Sequence, residues 1–285
     1  MSDHRFQSGT RLSHYPTDYS HDHGETEEVV VRRQDLTREL ALHQDMLLAH
    51  EERAVVILFQ GMDGAGKDGA LKALAALLDP QGCHAHSLQR PSKRDQLHDY
   101  LRRYVEKLPM RGQIGIFNRS YYESVIPQQI DPECLQNEKL PSELLQAPDL
   151  IAQRYRQIND FERYLHENGF IILKFFLHLS HAKQRERFLE RLHDPNKHWK
   201  FSPQDMKGRR AWKRHQEVFE DVLEATNTEH GRWFIVPADN RAHTELIVVE
   251  TLLNTLKSLE MEYPQPDNKT RKLMQEAIAE LHASQ

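Results

Sequence analysis

Gly61-Met62-Asp63-Gly64-Ala65-Gly66-Lys67-Asp68-Gly69 follows the apolar run Ala54-Val55-Val56-Ile57-Leu58-Phe59 and precedes an Ala/Leu-rich stretch with helical periodicity. A β-branched run that feeds a glycine turn opening a helix reads as a phosphate-binding loop. Its backbone N–H groups and the helix N-terminus form a positive nest for phosphate oxygens, and a lysine adds a point charge at the terminal phosphates. Gly61, Gly64, Ala65, Gly66, Lys67 and Asp68 are therefore candidate phosphate-binding residues. The usual loop places Ser or Thr after the lysine, as a Mg²⁺ ligand. Here Asp68 stands in that place and a further carboxylate, Asp63, lies inside the loop. Asp63 is expected to cover the missing hydroxyl, by holding a metal or by orienting the attacking oxygen, and Asp68 to cap the helix.

Outward from this loop the chain alternates between β and α patterns. Strands are predicted at 54–60, near 84–88, and at 114–118, 170–177 and 233–236, with helices at 66–78, 94–107, 143–167, 181–193, after Ser202-Pro203 and at 241–259. Such alternation predicts an α/β fold with a parallel sheet covered by helices on both faces. Asn168-Gly169 and Ser180 are the expected helix stop and start. Residues 29–53 suggest a helix entering the first strand, and residues 29–260 one domain. Residues 1–28 are polar and carry His4, His14, His21 and His23, which without Cys or carboxylate framing predict a flexible, solvated arm rather than a metal site. Residues 261–285 form a C-terminal helical extension, with Leu273, Ala277, Ile278 and Leu281 as a stripe expected to dock on the core or on a partner subunit.

At 285 residues the chain can bury one α/β core without needing two domains. No apolar run approaches the roughly 18 residues of a membrane span, and the mean hydropathy of −0.75 describes a charged surface. No apolar signal-peptide core follows Met1, and there are only two cysteines, Cys83 and Cys134. The expected location is the cytoplasm, with reduced thiols and no membrane partner. A net charge of −5 argues against a nucleic-acid binder, so any polyanion must meet a local basic patch.

That patch is visible. Positions 90–119 carry eight Lys/Arg against three Asp/Glu. Arg90 and Lys93 lie between two predicted core strands, where a solvated helix face and a phosphate-lined wall are the competing readings and the wall is favoured. His98-Asp99 reads as a structural pair rather than an acid/base pair. Phe117-Asn118-Arg119-Ser120-Tyr121-Tyr122-Glu123 leaves the C-terminal end of a predicted strand, where ligands of open α/β sheets bind. Arg119 is expected to face the phosphates. Asn118 stands where such proteins commonly offer a metal-binding Asp, and Glu123 is placed to restore the charge, which makes Asp63, Asn118 and Glu123 the candidate metal ligands. Arg187 and Arg191 share a helix face, and with Lys197 and Lys200 they are candidate lid cations that close over a transferring phosphate; the alternative is a salt-bridged exposed helix.

Taken in order, GMDGAGKDG (61–69), RPS (90–92), HDYLRR (98–103), LP (108–109), IGIFNRSYYE (114–123), RYRQINDFER (154–163), LKFFLHLS (173–180), DPNKHWKFSPQD (194–205) and VPAD (236–239) resemble the polyphosphate kinase 2 family over roughly residues 30–260. The resemblance implies a three-layer α/β/α P-loop kinase fold with a mostly parallel sheet and a helical lid, about 181–215. It also implies Mg²⁺ dependence, with Mn²⁺ as a substitute, and a basic channel taking inorganic polyphosphate with a nucleotide at one end. On matching positions it makes Asp63, Lys67 and Arg119 catalytic, puts Asn118 beside Arg119 in the second motif, and sets Arg187 and Arg191 on the lid. The implied reaction is phosphoryl transfer between polyphosphate and nucleoside mono- or diphosphates (AMP/ADP or GMP/GDP), expected to favour nucleotide synthesis when polyphosphate is in excess; the stripe at 273–281 allows a homo-oligomer, a dimer or tetramer. Asn-Arg-Ser at 118–120 resembles the spelling of the subgroup that phosphorylates both mono- and diphosphates, whereas residues 124–130 and Arg102 depart from it. The competing readings are an ATP-dependent small-metabolite kinase and a catalytically weak binding scaffold.

Overall fold

The computed structural model describes residues 4–18, 27–88 and 90–284. In chain order its elements are α1 (Glu27–His50), β1 (Ala54–Gly61), α2 (Lys67–Ala75), β2 (Cys83–Ser87), α3 (Arg102–Val105), β3 (Ile114–Asn118), α4 (Ile126–Ile130), α5 (Pro132–Gln136), α6 (Ser142–Leu145), α7 (Leu150–Glu167), β4 (Phe170–His178), α8 (His181–His193), α9 (Pro203–Arg210), α10 (Trp212–Thr226), β5 (Trp233–Pro237), α11 (Arg241–Lys257) and α12 (Asn268–Ala283).

The five strands form one sheet in the order β2-β3-β1-β4-β5, and every pair is parallel. β1 is central because all eight of its residues are buried, a run apolar enough to be covered on both faces. Its side chains alternate between two cores. Val55, Ile57 and Phe59 meet Leu40, Leu74 and Leu252 of α1, α2 and α11, while Val56 and Leu58 meet Ile158, Val218 and Val222 of α7 and α10. The result is the expected α/β/α sandwich. Because the chain leaves β1 toward β2 and β3 on one side and returns to β4 and β5 on the other, the loops after β1 and β3 meet at one end of the sheet, where the strand order reverses.

Four expectations are corrected. Residues 4–18 are not a solvated arm. Phe6 N–H donates to Trp233 O (2.8 Å) and Ile235 N–H to His4 O (2.7 Å), so this segment covers the free edge of β5, and Phe6 and Leu12 are buried in the core. His21 and His23 lie outside the described residues. The helix expected at 94–107 reduces to a 3₁₀ turn at Asp95–Leu97 and the short α3. The Ser92 hydroxyl and N–H both donate to the Asp95 carboxylate, and Leu101 N–H donates to Asp99; these local side-chain bonds compete with the helical ladder. The helix expected at 143–167 is split into α6 and α7 around Pro148, which lacks an N–H. The stripe of α12 does not dock on the core: Leu273, Met274, Ile278 and Leu281 are each more than half exposed, and the helix buries none of its residues.

Candidate active site

β1 delivers the chain to Gly61 at φ +144°, where a Cβ would stand 2.7 Å from Leu177 O on β4; only glycine permits this approach. Gly66, left-handed at φ +94°, then turns the chain into α2, whose first residue is Lys67. The loop folds over its own lysine. Lys67 Nζ donates to Gly61 O (2.6 Å) and Met62 O (3.1 Å), and its side chain is nearly enclosed. Burial holds its ammonium below the usual lysine range, opposed by the charge of Asp63. Asp68 lies in the first turn of α2 but caps nothing, the N-cap being Gly66; instead it accepts a hydrogen bond from Asn118 Nδ2.

β3 ends at Asn118, and the next residue, Arg119, is left-handed at φ +69°, uncommon for a side chain with a Cβ. That turn sends its guanidinium between two carboxylates: Nη2 is 3.3 Å from Asp63 Oδ1, and Nη1 is 3.0 Å from Glu123 Oε2. Glu123, then Asp63, holds the Arg119 charge against the cost of burial. Burial pushes the Asp63 carboxyl up, but Lys67, Arg119, His215 and Arg191 together outweigh it, and the group stays below the usual carboxylate range. Asp63, Lys67, Arg119 and Glu123 thus form one charge-balanced cluster at the sheet's switch point.

The cluster floors a cleft of about 750 Å³. Arg90, Arg102 and Arg103 line one wall together with Asp95, Asp99 and Glu106, and Arg102 pairs with Glu106 at 2.7 Å; Cys134, Lys139 and Arg154 line it farther along; and Gln204, Lys207, Gly208 and His215 of α9 and α10 line the lid side. Lys93, Asp68 and Asn118 are not among the lining residues. His98 and Asp99 both line it without bonding each other, Asp99 being used by Leu101 N–H.

The four lid cations take places other than the expected phosphate-facing ones. Arg187 grips the outside of the loop, donating to Gly64 O (2.9 Å) and Ala238 O (2.6 Å). Arg191 pairs with Asp205 at 2.6 Å, which ties α8 to α9. Lys197 pairs with Asp194 at 3.2 Å, and Lys200 lies over the exposed ring of Trp199. Residues with no motif signal do more here: buried Gln184 donates to Asp63 O (2.7 Å), and Lys207 and His215 reach the cleft.

The expected metal ligands divide. Asp63 and Glu123 both line the cleft and share Arg119, Glu123 the more closely, while Asn118 Oδ1 is a buried acceptor with no protein partner. No group of three or more His, Cys, Asp or Glu side chains fit to hold a metal exists among the described residues. The Asp63 carboxylate, shared with Arg119, and the orphaned Asn118 oxygen are few protein ligands, which fits a hard divalent ion held chiefly by substrate phosphates and water.

Comparison with known proteins accords with this geometry. The family profile described as Polyphosphate kinase 2 (PPK2) matches residues 23–264. The chain is 42% identical over 229 residues to the ADP-polyphosphate phosphotransferase of Rhodopseudomonas palustris, covering 80% of this chain and 79% of that protein. It is 36% identical over 239 residues to the AMP/ADP-polyphosphate phosphotransferase of Meiothermus ruber, covering 84% and 85%. The crystal structure of Polyphosphate Kinase 2 from Arthrobacter aurescens TC1 superposes with a TM-score of 0.82 at 29% identity, covering 95% of each chain.

Proposed function

Since the chain belongs to the polyphosphate kinase 2 family, we propose that it phosphorylates nucleoside mono- and diphosphates from inorganic polyphosphate, with Mg²⁺ as the divalent ion. The observation that carries this reading is the single cleft that joins the Asp63–Lys67–Arg119 cluster to the wall of Arg90, Arg102 and Arg103. Successive arginines running on from a phosphate loop suit a donor that is a chain of phosphates rather than a single nucleotide.

Phosphoryl transfer needs alignment and charge neutralisation more than covalent help. The Lys67 ammonium and the loop amides hold the terminal phosphates of the nucleotide. The Asp63 carboxylate, kept ionised by its cationic neighbours, orients the attacking phosphate oxygen. Arg119, poised between two carboxylates, offers its planar fork to the moving group. A divalent ion held by Asp63 and Asn118 would neutralise the facing phosphate oxygens. Excess polyphosphate drives the reaction toward nucleotide by mass action.

The test is an end-point assay with Mg²⁺, polyphosphate and AMP, ADP, GMP or GDP, resolved by chromatography. Both AMP and ADP are expected to advance by phosphorylation, and absence of product with all four acceptors would reject the proposal. We also propose a homo-oligomer in which α12 pairs antiparallel with its copy. Thr270, Leu273 and Met274 mirror Leu281, Ile278 and Ala277 about the helix centre, and a basic first half (Lys269, Arg271, Lys272) would face an acidic second half (Glu276, Glu280).

A further inference from the structure

An ion pair lies behind the cleft. Lys174, in the middle of β4, and Glu162, on α7, are both completely buried, 2.7 Å apart. Burying two charges rarely adds stability over an apolar pair of the same shape, so the arrangement calls for another reason. Every donor and acceptor in it is used. Lys174 Nζ donates to Glu162 Oε2 (2.7 Å), Tyr122 OH (2.9 Å) and Thr226 O (2.7 Å). Glu162 Oε1 accepts from Tyr121 OH (2.8 Å) and Tyr122 OH (2.9 Å). Because an ammonium only donates and a carboxylate only accepts, the Tyr122 hydroxyl has one proton arrangement available: it receives from Lys174 and gives to Glu162. Gly231 leaves the room, since a Cβ there would stand 2.6 Å from Glu162 Oε2 and 3.3 Å from Lys174 Nζ.

The two tyrosines are the second and third residues after Arg119. A non-glycine residue in the left-handed region persists only where its surroundings over-determine it. β3 fixes the chain up to Asn118, and the two hydroxyls fix it again at 121 and 122, so Arg119 is clamped from both sides.

We propose that the buried Lys174–Glu162 pair is a positioning device for the reaction: through the hydroxyls of Tyr121 and Tyr122 it holds Arg119 in its left-handed conformation, with its guanidinium between Asp63 and Glu123. Lys174, Glu162, Tyr121 and Tyr122 are positioning residues that act through Arg119. This inference rests on the phosphotransfer reading of the cleft.

The experiment is single-turnover and steady-state transfer from polyphosphate to ADP, with thermal unfolding of each variant in parallel. The variants are Tyr121→Phe/Tyr122→Phe, Gly231→Ala and Arg119→Ala, and each of the first two combined with Arg119→Ala. The tyrosine pair is expected to lower kcat about tenfold or more, with KM for ADP within about twofold, at a temperature where the variant is folded. In the Arg119→Ala background the same change should have no further effect on turnover. Gly231→Ala, which presses on the pair without touching either hydroxyl, should act in the same direction and carries the test if the tyrosine variant does not fold. A lowered Tm with wild-type kcat would make the pair a stabiliser only, and an equal fold-loss with and without Arg119 would also overturn the inference. If Arg119→Ala itself keeps wild-type turnover, the reading of the cleft fails instead.

Discussion

Lys67 is enclosed by its own loop before any substrate arrives, and this sets the sign of its pH behaviour. Its folded pKa lies below the unfolded value of about 10.4, chiefly through burial. Between the two, the unfolded chain holds the extra proton, so linkage makes stability rise with pH across that window. Turnover should fall across the same window, because the charge that holds phosphate is leaving. The stability difference between wild type and Lys67→Met should therefore grow in favour of wild type as pH rises toward the unfolded lysine value, read from urea midpoints; a flat difference would refute the assignment. Lys67→Ala or Asp63→Ala should abolish turnover without changing the circular-dichroism spectrum. Gly61→Ala meets a backbone oxygen at 2.7 Å from an unfavourable φ, and should cost roughly 1–3 kcal/mol or more in denaturant unfolding.

The lid belongs to the scale of elements. α8 does not present its arginines to the cleft; Arg187 fastens the helix to the phosphate loop through Gly64 O and Ala238 O. Arg187→Ala removes charge-assisted bonds of about 1.5–3 kcal/mol each. It should weaken nucleotide binding by about ten- to a hundredfold in calorimetry while leaving the sheet intact. Four of the strands were legible because each is a short apolar run between turn signals, the edge strand β2 (Cys83-His84-Ala85-His86-Ser87) only by its place in the alternation, and the phosphate loop because glycine, lysine and a preceding strand occur together. The segment 119–145 was not, since its helices are a turn or so long and are arranged by remote partners such as Arg154, which binds Ser124 O and Glu138. Spacing placed Arg187 and Arg191 correctly on one face but cannot say whether that face meets phosphate or backbone. Lys174 did leave a visible mark, a lone charge inside the apolar run 170–177, but its partner on α7 becomes apparent only in three dimensions.

For the molecule as a whole, two ends of the sequence are used oppositely. α12 stands away from the core with its stripe bare, tethered by Tyr263, whose hydroxyl donates to Asp45 on α1 at 2.7 Å. Removing residues 265–285 should lower the oligomeric mass in light scattering while preserving the fold. Lys269→Glu should weaken association and Glu280→Lys in the same chain should restore it. Residues 4–18 do the reverse and close the sheet. Deleting residues 1–18 uncovers the sites of Phe6 and Leu12, each a side chain worth about 1.5–3 kcal/mol buried, so a loss of roughly 3–6 kcal/mol is expected in urea unfolding.

That closure also orders events in time. Residues 4–18 are synthesised long before β5, the strand they pair with, and more than two hundred residues must be made between Phe6 and Trp233. Closing so long a loop pays its entropy before any contact rewards it, so the segment waits, unseated, while the phosphate loop and the central strands assemble. A protease pulse during refolding should therefore cut near residues 4–18 after the sheet centre is already protected, and the fold is latched from its beginning only once its last strand exists.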